Sequence, residues 1–175
     1  MSGGLHPFQS APMDSDPAQP RPLPLESALH TERFGSTIGR HLRQGQVIAL
    51  TGEMGSGKTT FVRGLARGTG LSAHVVSSPT FVVIQEYIGP IALAHVDLYR
   101  LDAPRDVHET GLADYLTGHF AVLIEWADRL PPAWLPSDYL LIHFTHAGHT
   151  SRRASLQAFG PRSHGLLQTI MADTR

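Results

Sequence analysis

Cysteine is absent from the 175 residues. That excludes disulfides and thiolate metal sites and is compatible with a reducing compartment. Lysine is nearly absent as well: Lys58 is the only one among 14 Lys and Arg residues. Charge of either sign is scarce, at 17% of residues and a net −1 with histidine neutral, so no global basic field exists to attract nucleic acid. Arg152-Arg153 is the only adjacent basic pair. Long apolar runs are missing, and none approaches the ~18 residues of a membrane span. The first residues show neither a basic stretch nor the apolar core of a secretion signal, so the expected location is the cytoplasm, with no membrane partner. H-E-x-x-H and Cys/His clusters are lacking, and the 11 histidines read mostly as surface groups. No repeat recurs at a period of 20 to 50 residues.

What is present is a chain long enough for one sizeable core, 41% hydrophobic, organised around a single stretch. Thr51 to Thr60 reads Thr-Gly-Glu-Met-Gly-Ser-Gly-Lys-Thr-Thr. Within it, Gly52-x-x-x-x-Gly57-Lys58-Thr59 fits the phosphate-binding loop G-x-x-x-x-G-K-[ST] without mismatch. The apolar run Val47–Leu50 precedes it and a helical pattern from Thr59 follows, which is the context the motif requires. Glycines let the backbone turn successive N–H groups inward as an anion nest, and the helix start adds unpaired donors and the positive end of its dipole. Glu53, Met54, Gly55, Ser56, Gly57, Lys58, Thr59 and Thr60 are therefore the expected nucleotide-binding residues. Lys58 reaches the β/γ-phosphates and the Thr59 hydroxyl takes a Mg²⁺ position. A chain that writes every other cation as Arg has placed its one compact ammonium here.

The flanking pattern is α/β. Residues 1–24 hold 6 of the 13 prolines and little apolar content, which describes a disordered tail with a possible short strand at Leu23–Leu25; the domain is read as residues 25–175. A helix is expected from a Thr31 cap, with Phe34, Ile38 and Leu42 on one face and Gly45 at its end. Helix 59–67 buries Phe61, Val62, Leu65 and Ala66, and Gly68 with Gly70 stop it. Strand Thr80–Tyr87 and strand Ile91–Val96 read as an antiparallel hairpin around Gly89-Pro90. Asp106–Leu116 reads as a helix carrying Gly111. Ala121–Ile124 is a strand, followed by a helical turn near Ala127–Leu130. Tyr139–Phe144 and Ala154–Phe159 form a late hairpin, and residues 164–171 a closing helix. The continuous apolar strands 47–50 and 121–124 belong in the middle of the sheet, with their C-terminal ends at the ligand crevice. The expected fold is a P-loop NTPase-like three-layer α/β fold, its central sheet mixed but largely parallel, with antiparallel hairpin additions.

Binding phosphate is not yet hydrolysis, which needs carboxylates for Mg²⁺ and a group to position water. Glu125 follows four apolar strand residues, and Asp97 ends the strand from Ile91 in the same way. Together with Lys58 they form the candidate catalytic set, and Thr59 with Glu125 the candidate metal pair. Each acid alone also fits a solvated strand end.

Five ordered blocks now resemble a known family: Gly52–Thr60, Ser78-Pro79-Thr80-Phe81, Asp97-Leu98-Tyr99-Arg100-Leu101, Gly111-Leu112-x-Asp114-Tyr115 and Ile124-Glu125-Trp126. Over about residues 24–160 the chain resembles the TsaE (YjeE) family, bacterial P-loop ATPases of tRNA threonylcarbamoyladenosine synthesis. The resemblance implies ATP hydrolysis to ADP and phosphate with Mg²⁺, slow alone and stimulated by the TsaD–TsaB complex. That complex attaches threonylcarbamoyl to adenosine 37 of tRNAs reading ANN codons, so contact with tRNA is indirect. It also implies that Thr80 is switch-like, that Asp97 is needed for turnover and that Glu125 is the acidic metal partner. Trp126 matches the family's Trp after the acid, which makes it a further candidate nucleotide-binding residue, and equally fits a partly buried core aromatic. Arg100 fits either a pair with Asp97 or a partner-facing group. His108 stands where many members carry Glu, and the Pro-rich extension lies outside the family pattern. A kinase would need an Arg-rich lid, which is not found between 100 and 120. A GTPase would need a second lysine for its base-reading motif. A non-hydrolysing nucleotide-binding scaffold is opposed by Asp97 and Glu125. A direct nucleic-acid binder is opposed by the dispersed basic residues.

Overall fold

Short β-rich runs, each ending at a turn, assemble one seven-stranded sheet in this computed structural model, which describes residues 22–71, 83–101 and 108–173. The strands are β1 (Leu23–Leu25), β2 (Val47–Gly52), β3 (Ile84–Tyr87), β4 (Leu93–Asp97), β5 (Ala121–Glu125), β6 (Tyr139–His146) and β7 (Arg152–Phe159). Their order across the sheet is β1-β7-β6-β2-β5-β4-β3. The four inner strands β6, β2, β5 and β4 run parallel, while β3 at one end and β7 and β1 at the other are antiparallel additions. The largely parallel centre, the two hairpins and the first strand at Leu23 are as expected from the sequence. Residues 1–21 lie outside the described residues, as do 80–82 of the expected first hairpin strand.

Burial explains the inner strands. Val47 to Thr51 of β2 and Ala121 to Glu125 of β5 are buried without interruption, as strands covered on both faces must be. On one face, Ile48, Leu50, Leu123, Leu140 and Ile142 meet α1 (Ala28–His41), α2 (Lys58–Gly68) and α4 (Pro161–Asp173). On the other, Ala49, Val96, Val122 and Ile124 meet Leu112 of the one-turn α3 (Leu112–Tyr115) and Ala127 and Leu130 of the 3-10 turn that follows β5. Three layers result, the second helical layer being made of short turns among the described residues.

α1 and α2 cross at backbone distance. A Cβ on Gly35 would lie 2.2 Å from the Phe61 carbonyl, and one on Gly64 would lie 1.9 Å from the Glu32 carbonyl. Neither position admits a side chain, since real Cβ contacts never come so close. This packing fixes α2, and with it the loop that precedes it.

Three local expectations need correction. Ser27, not Thr31, caps α1: its backbone is extended and its Oγ accepts the His30 N–H at 3.1 Å, while Thr31 sits one turn inside and donates to the Ser27 carbonyl. Gly45 does not end α1, which stops at His41; it serves the tight turn into β2 with φ +77. Gly111 interrupts the expected helix at 106–116, because its left-handed φ of +74 cannot continue one. Gly70 ends α2 as expected, whereas Gly68 is still part of the helix. Gly70 and Leu71 donate to Arg67 and Ala66 in a Schellman arrangement.

Candidate nucleotide-binding site

The phosphate loop joins the end of β2 to the start of α2. Gly52 has φ +129, and a Cβ there would stand 2.3 Å from the Phe144 carbonyl on neighbouring β6. Gly57, the residue before α2, has φ +104. The first intrahelical bond runs from Phe61 N to the Gly57 carbonyl, so the amides of Lys58, Thr59 and Thr60 are without helical acceptors. Ser56 is fully buried, yet its Oγ has no partner among the described residues. The start of α2 thus presents amide donors that have no helical acceptor, the chemistry that an anion completes.

Lys58 lies folded against this loop. Its Nζ donates to the Gly52 carbonyl at 2.6 Å and the Glu53 carbonyl at 2.9 Å, and sits 3.7 Å from the centre of the Trp126 ring. Burial lowers its pKa, and the carboxylates of Glu125, Asp128 and Asp97 pull it back up, in that order.

The two acids read from the sequence stand side by side. Asp97 and Glu125 are register partners at the C-terminal ends of β4 and β5, and both line the same cleft of about 270 Å³ as Lys58, Thr59 and Trp126. Glu125 is almost fully buried. Its Oε2 accepts from the Thr59 hydroxyl at 3.1 Å, and its Oε1 lies 2.9 Å from His95 Nε2. Asp97 Oδ1 accepts the Tyr99 N–H at 3.0 Å. The candidate metal residues Thr59 and Glu125 are therefore already in contact, and no group of three or more His, Asp or Glu able to hold a metal occurs among the described residues. Such a donor set fits Mg²⁺, which takes one or two protein oxygens and fills its shell with phosphate and water.

Trp126 is the only non-glycine among the described residues with a left-handed backbone, at φ 59 and ψ 42. Strain of this kind gathers at functional sites. It turns the ring from the end of β5 over Lys58 and against Tyr99, at 5.1 Å between ring centres. Trp126 is half-buried, packing against the second core cluster and lining the cleft at once. Arg129 holds the segment after Asp97 by donating to the carbonyls of Tyr99 and Leu101. Arg100 is exposed, and His108 packs edge-on against Trp134, outside the lining of the cleft. Thr80 lies outside the described residues.

Sequence reasoning missed two side chains on the other flank of the loop. His146 Nε2 lies 3.2 Å from the Met54 carbonyl, and Arg152 Nη2 lies 3.5 Å from the Gly55 carbonyl. His95 was missed too, as one of the histidines expected at the surface. The available signal was its place two residues before Asp97 on a buried strand, hence on the same face.

A family model described as "Threonylcarbamoyl adenosine biosynthesis protein TsaE" matches residues 25–154. The chain belongs to the TsaE family. Among its relatives, the tRNA threonylcarbamoyladenosine biosynthesis protein TsaE of Nostoc sp. is 39% identical over 144 residues, covering 79% of this chain and 86% of the relative. The protein of the same name from Bacillus subtilis is 37% identical over 141 residues, covering 80% and 87%. The crystal structure of Bacillus subtilis YdiB superposes with a TM-score of 0.73 at 29% identity, covering 88% of this chain and 95% of that one. The TsaE match takes in every residue that lines the cleft, whereas α4 lies beyond it.

Proposed function

We propose that the protein is a Mg²⁺-dependent ATPase that serves as auxiliary motor of the TsaD–TsaB complex in tRNA threonylcarbamoyladenosine synthesis. The observation that carries the reading is the joining of three separate segments. Thr59 of the loop bonds Glu125, and Asp97 stands beside Glu125 in register. A scaffold that only bound nucleotide would need the loop but not two strand-end acids aimed at it.

Each side chain has a role in this reading. The loop amides cradle the β-phosphate, and Lys58 leaves the Gly52 and Glu53 carbonyls for the β/γ-phosphate oxygens. Thr59 and Glu125 would hold Mg²⁺, which when bound neutralises charge on the phosphates. Asp97 is placed to orient the attacking water. Trp126 keeps the ammonium oriented and excludes solvent from that wall. Membership of the TsaE family supports the pathway, and the near-neutral net charge of −1 fits a protein that meets tRNA only through its partners. Among the described residues no helix is long and apolar enough to cross a membrane, and the cytoplasm is the proposed location.

A phosphate-release assay with purified chain, MgATP, and added TsaD–TsaB complex tests the whole reading. Slow release by the chain alone and faster release with the complex are expected. Absence of release under both conditions, or transfer of phosphate to an acceptor instead of water, overturns it.

A further inference from the structure

Arg152 opens β7, held in register between Leu25 of β1 and His146 of β6. Its side chain crosses the outer side of the phosphate loop: Nε and Cδ lie 3.2 and 3.4 Å from where a Cβ on Gly57 would stand. The contact exists because residue 57 is glycine. The guanidinium donates to the Thr150 carbonyl at 2.6 Å and reaches the Gly55 carbonyl only at 3.5 Å. Its buried Nε has no partner among the described residues. A guanidinium carries five N–H donors, so most of this fork is unspent, and the side chain lines the same cleft as Lys58 and Thr60.

The sheet order says which part of a nucleotide this fork faces. β7 lies three strands from β5 and four from β4, which is ~14 Å and ~19 Å at the usual strand spacing. The acids therefore sit on one flank of the loop and Arg152 on the other. If the terminal phosphate and its metal lie by Glu125 and Asp97, the opposite flank meets the inner phosphates.

We propose that Arg152 is a binding residue for the inner phosphates of the nucleotide, contacting ADP and ATP alike and taking no part in sensing the terminal phosphate. The inference rests on the proposed function above. A planar fork beside an anion nest supplies charge-assisted, bidentate bonds to phosphate oxygens, which neither of the flank's carbonyl contacts requires.

Calorimetric titration of the full chain with MgADP and with the non-hydrolysed form of MgATP tests this, using wild type, Arg152→Ala, Arg152→Lys and Arg152→Gln. Arg152→Ala is expected to weaken both nucleotides by the same roughly 10- to 100-fold. Arg152→Lys recovers part of the loss because it keeps the charge. Arg152→Gln recovers none, although it keeps a donor for the Gly55 carbonyl. Loss confined to ATP would make Arg152 a terminal-phosphate residue and overturn the proposal. So would wild-type affinity in Arg152→Gln, which would reduce the side chain to a hydrogen-bonding brace for the loop. Melting temperatures identify any variant that fails to fold, and the Lys and Gln variants then carry the test. A wild-type chain that binds neither nucleotide would overturn the proposed function itself, an outcome distinct from an unaffected variant of a binding wild type.

Discussion

On the β4–β5 flank of the loop both oxygens of Glu125 have partners, whereas on the β6–β7 flank Arg152 keeps donors to spare. The two sides face different solvents. Glu125 is buried, and a buried carboxylate is costly unless its lone pairs are met, so His95 and Thr59 meet them before any ligand arrives. Arg152 is half-exposed, and most of its unused donors can bond water at little cost. The acidic flank is therefore preorganised and intolerant of change, and the basic flank adaptable. Substitutions on the two sides should differ accordingly: on the acidic side they should alter turnover and metal use, on the basic side affinity.

The sharpest break of this comparison is Glu125→Gln. The amide preserves shape and a contact with Thr59 but removes the charge that would face Mg²⁺. Turnover should fall by about 10³-fold while MgADP affinity changes less than about 10-fold. Steady-state phosphate release beside calorimetry measures both, and a variant that hydrolyses at the wild-type rate would remove Glu125 from the metal site. Lys58→Ala comes next. It takes away the cation that now rests on the Gly52 and Glu53 carbonyls, and nucleotide affinity should drop by about 100-fold, as suits a lost charge-assisted partner of a triphosphate. Unchanged binding would mean that the loop amides hold the phosphates unaided.

His95 sharpens the comparison, because it touches the candidate metal residue Glu125 without lining the cleft. It is fully buried, touches Glu125 Oε1 through Nε2, and leaves Nδ1 without a partner among the described residues. His95→Leu should cost roughly 10- to 100-fold in turnover, the usual range for a residue that orients a metal ligand. The Mg²⁺ concentration for half-maximal activity should rise as well, a change that loose packing alone would not cause. His95→Gln, which can still donate towards Glu125, should recover part of both. Equal Mg²⁺ dependence in all three proteins would leave His95 as a packing residue.

The contrast between flanks also marks what could be read in the sequence. The loop, Lys58, Thr59, Glu125 and Asp97 were legible because each is tied to a local pattern: glycine spacing, or an acid at the end of an apolar run. That Asp97 and Glu125 would be register partners was not, since adjacency of β4 and β5 is a property of strand order. Arg152 and His146 were illegible for the same reason. They reach the loop only because β7 pairs with β6 and β6 with β2, across about a hundred residues of chain. The close crossing of α1 and α2 was hidden differently. Gly35, Gly39, Gly64 and Gly68 sit inside helices, where glycine reads as a weakness until a second backbone occupies the missing Cβ. Thr31 misled because it is a good cap type one turn too late, and Ser27 has the extended backbone that a cap needs.

The smallest expected effect lies farthest from the loop and tests whether the β6–β7 side is fixed by more than its strands. Asp138, just before β6, caps α4 by accepting the N–H groups of Arg162 and Ser163 at 2.8 and 2.9 Å and the Ser163 hydroxyl at 2.7 Å. Partial burial pushes the Asp138 pKa up, but the bonds from Ser163 and the two amides outweigh it, and the pKa lies below the ordinary carboxylate value. A carboxyl depressed by folding adds stability that is complete above the unfolded pKa near ~3.9 and disappears as pH falls through the folded one. Asp138→Ala should therefore lower stability by about 1 kcal/mol at neutral pH, the usual loss for a helix cap. The gap from wild type should begin to narrow below about pH 4, where the unfolded carboxyl takes up its proton, and shrink further as pH falls through the lower folded-state pKa. Urea melts at pH 7 and at a series of lower pH values, continued below pH 3.5, measure the gap. A gap that persists undiminished in acid would show that the carboxylate's charge contributes nothing to the cap, whereas no gap at pH 7 would leave α4 held to the sheet by Leu166 and Ile170.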